Sequence, residues 1–145
     1  MPSQFDELAI DANAAQVRHA SAWLVTACRQ RNVPQLLAER LELCLNEALA
    51  NVIDHGGVMA LSAPVKLLLE VALDQDSGTA GVTVSDAGMA FNPLSAPQKP
   101  MPATLHQASP GGLGLVTIRH CSDWLRYCHE DGRNHLTFGT RWNLR

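Results

Sequence analysis

Apolar and polar positions alternate with two different periods along this chain, and the periods divide it into elements. From about Pro34 to Asp54 the sequence is rich in Leu, Ala and Glu and has no internal Gly or Pro, which predicts a long helix. At about 100° per residue, Leu37, Leu41, Leu45, Ala48 and Val52 fall on one stripe. Glu47, Asn51 and His55, spaced i, i+4 and i+8, form a second row along the edge of that stripe. Upstream, Phe5–Ile10 alternates as an edge strand does. Asp11 or Asn13 can then cap a helix over Ala14–Arg31 with the stripe Val17, Ala20, Leu24, Ala27 and Cys28. Asn32-Val33-Pro34 breaks it, and His55-Gly56-Gly57 ends the long helix on glycines.

Downstream, Val65, Leu67, Leu69, Val71 and Leu73 make one apolar face of a strand. Asp74–Gly78 is turn chemistry and Gly81–Ser85 a second strand, so the pair reads as a hairpin. The run Asp86-Ala87-Gly88-Met89-Ala90-Phe91-Asn92-Pro93 leads into a proline-rich stretch too long to be an ordinary connection. Gly111-Gly112-Leu113-Gly114-Leu115 opens a helix to about Ser122. Trp124–Glu130 and His135–Leu144 are strands joined by a turn at Asp131-Gly132-Arg133-Asn134. Leu136, Phe138, Thr140 and Trp142 share one face of the last strand. About five mostly antiparallel strands and about three helices, with no strand–helix–strand repeat, predict an α+β fold. The expected architecture is a two-layer α/β sandwich with the helices on one sheet face.

A length of 145 residues suits one domain over 1–145. Eleven Lys and Arg against fourteen Asp and Glu give a net charge of −3, which argues against nucleic acid or an anionic membrane as partner. No apolar run reaches membrane-spanning length and the N-terminus has no signal-peptide pattern, so the expected location is the cytoplasm. Cys28, Cys44, Cys121 and Cys128 contain no C-x-x-C pair and read as reduced thiols. His120-Cys121 and Cys128-His129 mirror each other, but adjacent ligands at both ends would be unusual for zinc.

Three short patterns carry chemistry when taken together. In a helix, Glu47 and Asn51 place a carboxylate and a carboxamide one turn, about 6 Å, apart at a core boundary. The Asn51 oxygen is a hard neutral ligand suited to magnesium. Asp86, at a strand end, can accept a hydrogen bond from an exocyclic amine, and Gly88 allows close backbone approach to a flat base. Gly112 and Gly114 leave backbone amides at a helix N-terminus able to face phosphate oxygens. Each pattern alone is weak: a buried Asn, an ordinary turn and a plain helix start are its bland readings.

In this order and spacing the patterns resemble the GHKL (histidine kinase-like, Bergerat) ATP-binding fold shared by gyrase, heat-shock chaperones, mismatch-repair proteins and histidine kinases. Glu-Ala-x-x-Asn-x-x-x-His-Gly, Asp-x-Gly-x-x-Phe-Asn-Pro and Gly-Gly-Leu-Gly-Leu look most like the anti-sigma-factor serine/threonine kinases. The resemblance implies ATP and Mg2+ as cofactors. It places Asn51 on the metal, Asp86 and Gly88 at adenine, and Gly112 and Gly114 at the phosphates, with Phe91, Leu113 and Leu115 also in the cofactor site. Glu47 would be the general base that takes the proton of a serine or threonine hydroxyl. Residues 92–111 would be the ATP lid, and the implied partners are a STAS-domain anti-anti-sigma protein, a sigma factor and a second copy of the chain.

Two departures stand out: the lid carries Lys99 as its one basic residue, and Asn92 stands where Asp is frequent. The sparse lid leaves room for a non-catalytic, ATP-dependent docking regulator on the same fold. A detached histidine-kinase ATPase domain and a nucleotide-free α/β domain are further alternatives. His55 reads as a helix-end imidazole near the C-terminal dipole.

Overall fold

In the computed structural model, alternation and helical period give the elements their order. The structure describes residues 2–90, 92 and 112–144, and of 112–115 the backbone course. The elements are β1 (Gln4–Ile10), α1 (Ala14–Gln30), α2 (Gln35–His55), a four-residue α3 (Gly57–Ala60), β2 (Val65–Leu73), β3 (Ser77–Asp86), α4 (Gly112–Cys121), β4 (Trp124–Glu130) and β5 (Arg133–Asn143). The strands form one antiparallel sheet in the order β1-β2-β3-β5-β4. The expected α+β architecture is the observed one, and β1 is an edge strand as its short alternating sequence implied.

Local chemistry explains most element ends. The Asn13 side chain accepts a hydrogen bond from the Gln16 backbone N–H at 3.0 Å and so caps α1; of the two candidate caps, Asn13 is the one used. Asn32 sits at φ 62° just beyond α1, in the left-handed region that Asn tolerates at a helix end. Nearby, Arg31 pairs with Asp6 at 3.0 Å and ties the end of α1 to β1. Gly57 at φ 64° turns the chain out of α2, and its glycine is needed there for conformation alone.

The core lies between the helices and one sheet face. Leu24, Leu41 and Leu45 from the helices meet Leu67, Leu69, Val82, Val84 and Phe138 from the strands, all fully or almost fully buried. In β2, Val65, Leu67, Leu69 and Val71 are buried while Lys66 between them is exposed, so the period of two holds. On the opposite sheet face the cross-strand pairs are polar: Thr83 with Thr137 at 2.8 Å, and Ser85 Oγ with His135 Nδ1 at 2.7 Å. On that face Trp124 lies across Gly139, with the Arg141 guanidinium 5.5 Å from its ring, and a side chain at Gly139 would collide with the indole.

Three boundaries differ from the sequence reading. β3 runs from Ser77 to Asp86, longer than Gly81–Ser85, because its Gly78 and Ala80 pair with Trp142 and Thr140 of β5. Only Asp131 and Gly132 form the β4–β5 turn; Arg133 and Asn134 already belong to β5, where Asn134 faces Asp86. The short apolar α3 follows α2 directly and was not expected. No helix among the described residues is long and apolar enough to cross a membrane.

Candidate functional site

The C-terminal end of α2 lies over the end of β3, and a cleft opens between them. Ala48, Asn51, Val52, His55 and Gly56 of the helix end line it from one side. Val84, Asp86, Met89, Tyr127, Asn134 and Leu136 line it from the other. Helix periodicity alone puts Asn51 and His55 there, since each stands one turn from the next along the edge of the buried stripe. His55 is the last residue of α2, as expected for a helix-end imidazole, and it also borders the cleft.

Asp86 ends β3 on the core-facing side, following Ala80, Val82 and Val84 in alternation. It is only 8% exposed, so its carboxylate needs partners. Its Oδ1 accepts from the Gly88 backbone N–H at 2.9 Å and from Asn134 Nδ2 at 3.2 Å. Asn134 Nδ2 also lies 3.3 Å from the Gly88 carbonyl and 2.9 Å from the Met89 carbonyl, and the Tyr127 hydroxyl meets Asn134 Oδ1. β5 therefore holds the turn that follows Asp86.

Gly88 is required here by packing. A Cβ on it would come 2.8 Å from Asp86 Oδ1, 2.9 Å from Gly56 Cα and 3.1 Å from the Gly56 carbonyl oxygen. The turn thus presses directly on the end of α2, which no residue with a side chain would allow without displacing backbone. The sequence supplied a different reason for this glycine, close approach to a planar base. The contact with Gly56 could not be read from spacing.

The other expected site residues are distributed as follows. Glu47 is half-buried on α2, one turn before Asn51, and is not among the residues lining the cleft. Gly112, Leu113, Gly114 and Leu115 form the first turn of α4, which packs against α2; Cys44 Sγ of α2 approaches the Ile118 carbonyl at 3.9 Å. Burial pushes the Cys44 thiol up to about 12, with the neighbouring Cys121 acting in the same direction. Phe91, Lys99 and the expected lid beyond Asn92 lie outside the described residues, as do the side chains of Leu113 and Leu115.

The donor set suits a nucleotide with its metal. Asn51 brings one neutral oxygen donor to the cleft, and among the described residues no group of three or more His, Cys, Asp or Glu is placed to hold a metal ion. A neutral carboxamide oxygen is among the donors that a magnesium ion accepts. Tyr127, Asn134, Gly56 and Leu136 were missed by the sequence reading. Asn134 had a signal: two residues before Leu136 on the same strand, it continues the core-facing alternation as a polar residue.

Comparison with known proteins agrees with this geometry. The family model described as a histidine kinase-like ATPase domain matches residues 10–140. The serine/threonine-protein kinase BtrW of Bordetella bronchiseptica is 32% identical over 137 residues, 94% of this chain and 94% of its own. A crystal structure of the RsbU and RsbW domains of a Mycobacterium tuberculosis protein superposes over the whole chain with a TM-score of 0.66 at 17% identity. The chain spans 34% of that larger protein, and the likeness shows a shared fold.

Proposed function

The chain belongs to the histidine kinase-like ATPase family, among its serine/threonine kinases, and from that premise we propose a specific reaction. It binds Mg-ATP in the cleft at the end of α2 and phosphorylates a STAS-domain anti-anti-sigma protein in the cytoplasm. It exchanges that antagonist for a sigma factor as a partner-switching regulator, and acts as a homodimer. The observation that carries the reading is the meeting of Asn51 and Asp86 in one cleft, with Glu47 one turn before Asn51 on the same helix.

Each residue then has a chemical task. The Asp86 carboxylate accepts a hydrogen bond from the exocyclic amine of adenine beside Gly88, and Phe91 belongs to the same subsite. Asn51 offers its carboxamide oxygen to the magnesium ion. The backbone N–H groups of Gly112, Leu113, Gly114 and Leu115 open α4 and face the phosphates, where the helix dipole favours negative charge. Glu47 takes the proton from a serine or threonine hydroxyl of the substrate. The hydroxyl oxygen would bond the γ-phosphorus as its bond to the bridging oxygen breaks and ADP leaves, with a bound metal neutralising most of the charge.

The test is recovery of partners from native extract with magnesium and ATP, followed by intact mass of any small protein retained. A STAS-domain protein that gains one phosphate with wild type, and none with Glu47→Ala, supports the reading. A stable partner of unchanged mass supports a second reading, a non-catalytic ATP-dependent docking regulator. The sparse lid, with Lys99 as its one basic residue, favours that alternative.

A further inference from the structure

The hydrogen bonds around Asp86 carry more than its presence in the cleft. Resting on the nucleotide reading above, we propose that Asn134, held by Tyr127, is a positioning residue that turns Asp86 into a one-sided acceptor selective for a 6-amino purine.

Asn134 is 7% exposed and stands directly opposite Asp86 in the β3–β5 register. Three oxygens surround its Nδ2: Asp86 Oδ1, the Gly88 carbonyl and the Met89 carbonyl. A carboxamide nitrogen has two hydrogens and its oxygen has none, so the reverse orientation would set an acceptor against three acceptors. The Tyr127 hydroxyl at Oδ1 supplies the donor that the observed orientation needs. The amide is thereby fixed in one sense, and its donors are directed at protein oxygens.

The consequence falls on Asp86. Its Oδ1 accepts twice, from Gly88 and from Asn134, while Oδ2 takes no hydrogen bond among the described residues. A buried carboxylate that lines a cleft, with one oxygen held by two protein donors, is a directional acceptor. It matches the donor of a 6-amino group and repels the lone pairs of a 6-oxo group. Asn134 cannot offset that repulsion, because its N–H groups face the turn carbonyls and Oδ1. Tyr127 and Asn134 also line the cleft, and their effect on the 6-position runs through the Asp86 carboxylate, so their role there is positional.

The test compares nucleotides that differ only at the 6-position. Wild type, Asn134→Ala and Tyr127→Phe are titrated calorimetrically, each with magnesium, against ATP, purine riboside triphosphate and GTP. Wild type is expected to prefer ATP over the 6-hydrogen analogue by about tenfold, the size of one charge-assisted hydrogen bond. In Asn134→Ala that preference collapses to about twofold or less, and in Tyr127→Phe it falls part of the way, because a loosened carboxylate no longer distinguishes the amine. Equal weakening toward all three nucleotides with the preference intact would overturn the proposal and leave Asn134 a strap on the turn. Should Asn134→Ala not fold, the preference of Tyr127→Phe decides alone, since that change removes one hydroxyl. Wild type that binds no nucleotide overturns the site reading along with the proposal, and differs plainly from a wild type that binds and discriminates while its variants do likewise.

Discussion

The two halves of α2 obey the same period and end in different surroundings. In the N-terminal half, Ala38, Leu41, Cys44 and Leu45 are covered by α1, α4 and the sheet, so every inward position is apolar. In the C-terminal half, Ala48 and Val52 continue the stripe, but Asn51, His55 and Gly56 beside it border a cleft. The neighbour makes the difference: a packed core over the first half, the Asp86–Met89 turn over the second. A helix can thus be anchored at one end and carry polar groups at the other without changing its pattern.

Substitutions can separate the halves. Glu47→Ala, at the junction, is expected to lower phosphate transfer by about a hundredfold or more, as loss of a general base does, while nucleotide affinity stays within a few-fold. Transfer of labelled phosphate to the partner, set beside a binding titration, checks both parts. Leu45→Ala in the sealed half should cost about 3 kcal/mol of unfolding free energy in urea, with the folded fraction binding nucleotide normally. Asp86→Asn in the open half should do the reverse: about tenfold or greater loss of ATP affinity with a smaller change in the urea midpoint. If both variants lost stability and affinity together, the division of α2 would be wrong. Asn13→Ala removes the α1 cap, outside both halves, and should cost about 1 kcal/mol without touching affinity.

Alkaline pH tests the sealed side. Burial holds the Cys28 and Cys44 thiols at about 12 against an ordinary value of 9.0. Unfolding frees them to ionise, so the folded state keeps its full advantage below pH 9 and loses it as pH rises from there toward 12. Urea midpoints across that range should fall in wild type and fall less steeply in Cys44→Ala.

The sequence was most informative where one period governed a long stretch. Both long helices, the strand Val65–Leu73 and the strand Trp124–Glu130 could be read to within a residue or so, because their side chains alternate against a single core. The candidate site was half legible. Asn51 and Asp86 sit in recognisable local patterns, and the cleft contains both. Tyr127 and Asn134 reach it through strand register, a property of two distant segments that neither segment encodes alone. Asp131-Gly132 ahead of Asn134 reads as a turn that extends over it, and the turn chemistry of those two residues masks the strand that follows. The fit of Gly88 against Gly56 likewise needs three dimensions.

The sheet order also bears on how the molecule assembles. β2–β3 and β4–β5 are hairpins whose partners are near in sequence, whereas β3 and β5 meet with Asp86 and Asn134 separated by 48 positions. Closing that seam carries a larger loop-closure entropy than either hairpin, which makes it the slower contact to form. The cleft straddles the seam, so it does not exist until the two hairpins have joined. A ligand that binds there acts only on the joined state and draws the chain toward it by mass action. Refolding experiments with nucleotide present would accordingly find the native state held longer against unfolding, while the early hairpins form at the rate they have without it.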